Sequence, residues 1–254
     1  DIKCGENIIK YGFPIGHATC DIKRGEHVHT HNMKTNLEGI SEYEYSPCFK
    51  EIPKSAENRC FMGYERTDGS FGIRNDIWIV NTVGCVNKVA ERLAKLTGAK
   101  FFPHPFGCSQ LGGDHETTKK ILKGMALHPN AGGVLVLGLG CENNQPEEFK
   151  KYLGDYDENR IKFLVCQNVE DEIKEGVRLI EELKAYAKTF ERKEIPLSRL
   201  KVGLKCGGSD GLSGITANPL VGRFSDKLIS FGGSTVLTEV PVMFGAEQLL
   251  MNRC

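Results

Sequence analysis

From residue 63 onward, apolar positions along the chain alternate between two rhythms. Unbroken runs such as Ile77-Trp78-Ile79-Val80, Val134-Leu135-Val136-Leu137 and Leu200-Lys201-Val202-Gly203-Leu204 read as buried strands. The stretches after them repeat an apolar residue every three or four positions, as a helix with one buried face does. The expected strands are 73–80, 99–102, 133–139, 161–165, 200–204 and 235–237. The expected helices are 86–96, 117–127, 146–153, 169–190 and 218–228. Val169, Ile173, Val177, Ile180 and Leu183 share one face of the fourth helix. Pro146 suits a first helical turn, and Asn218-Pro219 reads as a cap followed by one. Residues 192–196 read as a break. Strand and helix in alternation imply βαβ units, so the expected class is α/β, a mostly parallel Rossmann-like sheet with flanking helices.

Residues 1–45 follow a different pattern. Ile8-Ile9-Lys10-Tyr11, Pro14-Ile15-Gly16-His17-Ala18 and His27-Val28-His29 are short β-prone stretches separated by glycine turns. Lys3-Cys4-Gly5-Glu6 and Lys23-Arg24-Gly25-Glu26 look like one turn used twice. The organisation predicted is a small β-rich domain over 1–45, a linker over 46–62 and an α/β core over 63–254. Both ends read as cut, since the chain opens in mid-motif and stops in an unfinished helical pattern.

Composition narrows the class. The 254 residues carry 33 basic and 33 acidic side chains, so no nucleic-acid stripe or membrane-anchoring patch is expected. No apolar stretch nears the roughly 18–20 residues of a membrane span, and no signal peptide opens the chain. The ten cysteines form no CxxC pair and no regular framework, so they read as reduced thiols or ligands in a cytoplasmic protein.

Four cysteines stand where an apolar run meets glycine, at Gly84-Cys85, Gly107-Cys108, Gly140-Cys141 and Cys206-Gly207. Loops leaving the carboxyl ends of parallel strands gather along one edge, so these thiols are expected to converge. The loop 104–115 adds His104, Asp114 and His115, which can surround a metal or a polar substrate, although Asp114 alone would serve as a helix cap. The loop 138–144 lacks the third glycine of a dinucleotide fingerprint, which leaves Cys141 and Glu142 as ligand and base candidates. Residues 206–219, with Cys206, Ser209, Asp210, Ser213 and Asn218, offer many hydrogen bonds and little bulk, as a hydroxylated acid requires. No GxSxG elbow is present. Arg74, at a strand start beside Asn75, is a carboxylate-clamp candidate. His29-Thr30-His31-Asn32 would set two histidines on one strand face, for metal or for acid and base.

Together these motifs resemble the altronate/galactarate dehydratase family. The resemblance rests on Gly63-Tyr64-Glu65-Arg66-Thr67-Asp68-Gly69, Gly72-Ile73-Arg74-Asn75, the loops 104–115, 138–144 and 206–219, His128-Pro129-Asn130-Ala131-Gly132-Gly133 and Thr238-Glu239-Val240-Pro241. Cys108-Ser109-Gln110-Leu111-Gly112-Gly113-Asp114-His115 has the form of the altronate branch. Lys10-Tyr11-Gly12, Ile15-Gly16-His17-Ala18 and Val28-His29-Thr30-His31-Asn32 resemble the family's N-terminal SAF domain. The resemblance implies elimination of water from D-altronate, giving 2-dehydro-3-deoxy-D-gluconate, with iron(II) or manganese(II). Cys108 and Cys141, then Cys85 and Cys206, are the expected metal ligands, with an iron–sulfur cluster as the rival to a single ion. His29, His104, His115 and Glu142 are the candidates for proton transfer, unranked. His31, Asn32, Arg74, Asn75, Ser209, Asp210, Ser213 and Asn218 are the candidates for substrate binding. Galactarate dehydration, sulfite elimination from sulfolactate and sugar-acid binding without turnover are the competing readings. The expected partner is a small sugar acid, with a homo-oligomer as an option.

Overall fold

A computed structural model describes residues 1–10, 12–36, 42, 44–49, 51–205, 207, 212–238 and 246–253, with Phe13 described by its backbone. These fall into two compact units, one formed by Asp1–Arg59 with Leu197–Cys254 and the other by Cys60–Pro196.

In the first unit, β1 (Asn7–Lys10), β2 (Phe13–Ala18) and β3 (Met33–Lys34) form an antiparallel sheet in the order β1-β2-β3. The turn seen twice in the sequence is built twice. Lys3 N–H donates to Glu6 Oε2 at 2.6 Å, and Lys23 N–H donates to Glu26 Oε2 at 2.7 Å. Gly5 and Gly25 take positive φ of 84° and 92°, which a side chain would strain. Ile2 and Ile22 exchange backbone bonds of 2.8 Å, closing the two turns face to face over a core of Ile8, Ala18 and Ile22. The expected strand at 27–29 is absent. Asn32, 5% exposed, accepts from His29 N–H at 2.9 Å and donates to His27 O at 3.0 Å, which folds the segment into a turn.

The second unit opens with β4 (Cys60–Glu65), which pairs antiparallel with β5 (Phe71–Gly72) and with β10 (Lys193–Pro196). Thus the last residues of the expected linker are strand, and the expected break at 192–196 contains one. Then follow β6 (Asp76–Asn81), α1 (Asn87–Thr97), β7 (Lys100–Phe101), α2 (Gly112–Ala126), β8 (Ala131–Gly138), α3 (Pro146–Leu153), β9 (Ile161–Val165) and α4 (Glu172–Ala187). Their strands form a parallel sheet in the order β7-β6-β8-β9. Alternate residues of β8 serve opposite faces, as a strand buried on both sides requires. Leu135 and Leu137 join Leu93 of α1 and Ile180 and Leu183 of α4, while Val134 and Val136 join Leu122 of α2 and Phe149 of α3. Helices thus cover both faces, and α1 meets α4 so closely that a Cβ on Gly176 would lie 2.7 Å from Leu93.

α2 begins five residues earlier than its apolar pattern suggests, so Asp114 and His115 stand in its first turn. Leu111 is the N-cap and no side chain caps this end, so Asp114 is not the cap. Asp171 does cap α4, accepting from Ile173 and Lys174 N–H at 3.0 and 2.9 Å.

After the second unit the chain returns to the first with β11 (Lys201–Leu204), α5 (Ala217–Ser230), β12 (Ser234–Leu237) and α6 (Glu247–Met251). β11 and β12 pair in parallel, and Thr216 rather than Asn218 is the N-cap of α5. No helix among the described residues is long and apolar enough to cross a membrane.

Candidate active site

The connection from β6 runs through α1 to β7 on one side, and that from β8 runs through α3 to β9 on the other. Their carboxyl ends therefore flank a topological switch point, where open α/β sheets hold their ligands. Three cysteine-bearing turns meet there. Gly84 N–H donates to Phe106 O at 2.8 Å, joining the turn after β6 to the one after β7. Asn143 Nδ2 donates to Gln110 O at 3.0 Å, joining the turn after β7 to the one after β8. Cys85, Cys108 and Cys141 are exposed free thiols on these three turns. Between Cys108 and Gln110, Ser109 takes a φ of 56°, a left-handed conformation costly for a residue with a side chain.

Glu142 is 2% exposed, and its carboxylate is fully engaged. It accepts from Thr82 Oγ1 at 2.6 Å, from Leu139 N–H at 3.0 Å and from Gly140 N–H at 2.6 Å. The amides of Leu139 and Gly140 thus hold the chain's own side chain. In this arrangement Glu142 organises the turn after β8.

The three histidine candidates now separate. His104 accepts from Phe106 N–H through Nδ1 at 3.2 Å, so its proton sits on Nε2, which donates to Asn81 O at 2.9 Å. Both ring nitrogens are tied to backbone. His115 is half-buried on the first turn of α2, and its buried Nδ1 has no partner among the described residues. His29 is exposed in the first unit, its Nδ1 3.1 Å from Thr30 Oγ1. The rings of His29 and His31 both lie against His27, at centroid distances of 5.4 and 6.2 Å. Asn32 spends its amide on the backbone of that turn, as described above.

Arg74 and Asn75 are not brought to the switch point. They precede β6, so the six residues of that strand, about 20 Å of extended chain, separate them from Cys85. Asn75 accepts from Arg66 Nη1 at 2.8 Å and donates to Ala187 O at 2.7 Å. Arg66, 3% exposed, also donates to Pro129 O and Arg74 O, so this corner anchors a buried cation. Ser213 and Asn218 belong to the first unit, where Asn218 N–H donates to Ser213 O at 2.9 Å. Cys206, Ser209 and Asp210 lie outside the described residues.

Sequence reasoning missed two residues here. Thr82, wholly buried, supplies the hydroxyl bound to Glu142. Cys166, at the carboxyl end of β9, is a further thiol at this edge, and its position just after the apolar run 161–165 was the available signal. Burial, and then the carboxylates of Glu172 and Glu142, push the Cys166 thiol up to about 11, so it stays protonated near neutral pH. Gln167 brings Nε2 to 4.0 Å from Cys141 Sγ.

Among the described residues, which leave out Cys206, no three His, Cys, Asp or Glu groups stand together in a way that could hold a metal ion. The amide oxygens of Asn81 and Asn144, both fully buried, have no partner among the described residues. Beside the turn after β7 opens a cleft of about 650 Å³, lined by Phe102, His104, Phe106, Gln110, Asp114 and Ile121 among others. Its α2 wall carries Asp114, Thr117 and Thr118, then Ile121, Leu122 and Met125 further along the helix.

Residues 1–36 match the altronate/galactarate dehydratase SAF domain, 63–188 the second domain of D-galactarate dehydratase/altronate hydrolase, and 197–254 the C-terminal domain of D-galactarate/altronate dehydratase. The chain is 57% identical over 263 positions to the altronate dehydratase of Bacillus subtilis (strain 168), an alignment covering 99% of this chain and 53% of that protein. It is 52% identical to the altronate dehydratase of Escherichia coli (strain K12), over 100% of this chain and 54% of that protein. Identity to the galactarate dehydratase (L-threo-forming) of the same organism is 30%, over 100% and 53%. The chain spans about half the length of the curated relatives it matches. With three consecutive domain matches and identities of 52–57% along its whole length, it belongs to the altronate/galactarate dehydratase family.

Proposed function

We propose that this chain carries the chemistry of a hydro-lyase that removes water from D-altronate to give 2-dehydro-3-deoxy-D-gluconate. Its 52–57% identity to two altronate dehydratases carries the choice of substrate, against 30% to the galactarate enzyme. The meeting of the thiol turns at the switch point supports the choice of place.

The reaction takes a weakly acidic proton from the carbon beside the carboxylate and protonates the departing 3-hydroxyl. His115 suits the proton work, because its Nδ1 has no partner among the described residues while both nitrogens of His104 are committed. The first turn of α2 carries Gly112 and Gly113 with open space at both, so a hydroxylated acid meets no side chain there. Iron(II), or manganese(II), belongs to the proposal, with Cys108 and Cys141 as its first holders. Bound, it would stabilise the enediolate charge. The free thiols are in keeping with a cytosolic setting.

The test is anaerobic incubation of the chain with iron(II) and, separately, D-altronate, galactarate and (2R)-sulfolactate, with assay of 2-keto-3-deoxy acid and sulfite. The expected result is keto-deoxy acid from altronate in excess of that from galactarate. Sulfite release from sulfolactate with no product from altronate would overturn the reading.

A further inference from the structure

Glu142 receives three hydrogen bonds, and they are not equivalent. Leu139 and Gly140 belong to its own turn, so their amides fix only the local shape of 138–144. Thr82 comes from the end of a different strand. Its hydroxyl, which also lies 3.3 Å from Leu137 O, therefore ties the side chain of Glu142 to the turn after β6. The rest of Thr82 reaches the same neighbours. Its N–H donates to Leu137 O at 2.9 Å, and its carbonyl accepts from Asn144 Nδ2 at 3.4 Å. The turn after β7 lies flat against that carbonyl: a Cβ on Gly107 would stand 2.1 Å from Thr82 O, and Gly107 has a φ of 98°. One fully buried residue touches all three thiol-bearing turns.

We infer that Thr82 is a positioning residue whose hydroxyl, through Glu142, sets the spacing of Cys85, Cys108 and Cys141. The inference rests on reading this edge as the reactive site, and it is independent of the reaction assigned there. Without the hydroxyl, Glu142 keeps its two local amides and the turn after β8 keeps its own fold. What it loses is the bond from Glu142 to the turn after β6, while Asn144 Nδ2 on Thr82 O and Asn143 Nδ2 on Gln110 O remain, and an ångström of misplacement is enough to disable a multi-group site. Serine preserves the bond. Valine preserves the shape and removes it.

The test compares the full chain with Thr82→Ser and Thr82→Val using dibromobimane, which becomes fluorescent when both bromomethyl carbons are attacked by nearby thiols. Each thiol forms a C–S bond, bromide leaves, and the thiol proton goes to solvent. Peptide mapping assigns the joined cysteines, and monobromobimane measures each thiol alone. Joining of Cys141 to Cys85 or Cys108 is expected in the wild type and in Thr82→Ser. In Thr82→Val it is expected to fall about tenfold, with single labelling unchanged. Equal joining in Thr82→Val, or no joining in the wild type, overturns the inference. If Thr82→Val does not fold, Gly107→Ala tests the same geometry from the turn after β7: it is expected to lose joining to Cys108, and wild-type joining there overturns the inference. Failure of altronate turnover with this pattern intact would strike the proposed reaction and leave the positioning role standing.

Discussion

The Thr82 hydroxyl donates to Glu142 Oε1 at 2.6 Å, and neither residue is more than 2% exposed. A buried carboxylate is tolerated only when its oxygens are satisfied, so this bond and the two amides are what hold a charge at that depth. Replacing Glu142 by glutamine leaves one oxygen as acceptor and turns an NH₂ group toward Gly140 N–H. The expected loss of stability is about 3 kcal/mol in urea unfolding, and a change below about 1 kcal/mol would show that the carboxylate is not needed there.

The histidines should part company on mutation. His104→Ala leaves Asn81 O and Phe106 N–H without partners and should cost about 2 kcal/mol of stability. His115→Gln should melt like the wild type while altronate turnover falls about a hundredfold or more. Melting curves and initial rates on the same preparations separate the two roles.

Cys166 sets a pH dependence with a definite sign. Its folded-state value is raised from the ordinary 9.0 to about 11, first by burial and then by Glu172 and Glu142. In the unfolded chain the thiol loses its proton from about pH 9, whereas in the folded chain it keeps it until about 11. Its contribution to stability is therefore present below pH 9 and is lost as pH rises through 11. Iodoacetamide labelling of the Cys166 peptide should reach its half-maximal rate near pH 11, and at lower pH in Glu172→Gln.

At the opposite end of the sheet, Asn75→Ala removes an acceptor from the buried Arg66 guanidinium and should cost about 2 kcal/mol. Arg74 is exposed, and Arg74→Ala should change stability by no more than about 0.5 kcal/mol and leave turnover intact. Loss of turnover in a stably folded Arg74→Ala would place substrate at the amino edge.

Much of this architecture was readable because burial on both faces makes a strand a continuous apolar run. The pattern over 133–139 marks β8, and 161–165 and 146–153 coincide with β9 and α3. β4 and β10 escaped because only one residue of each is buried, so neither shows such a run. The two histidines of 29–31 alternate as on a strand, but Asn32 binds the backbone at 27 and 29 and makes a turn instead. The chemistry of Arg74 was legible, and so was its strand start: a residue before a parallel strand lies at the amino edge, away from the ligand crevice. Thr82 carries no pattern at all. Its role comes from a bond across 60 residues of chain, which spacing cannot reveal.

On the proposed reading, the turns at the switch point are the reactive site of a sugar-acid dehydratase. Iron(II)-supplemented turnover of D-altronate by Cys108→Ser and Cys141→Ser, beside wild type and with melting curves as the control for folding, tests it most directly. The prediction is keto-deoxy acid from the wild type and a loss of about a hundredfold or more in each variant at unchanged melting temperature. Wild-type rates in both variants would contradict it.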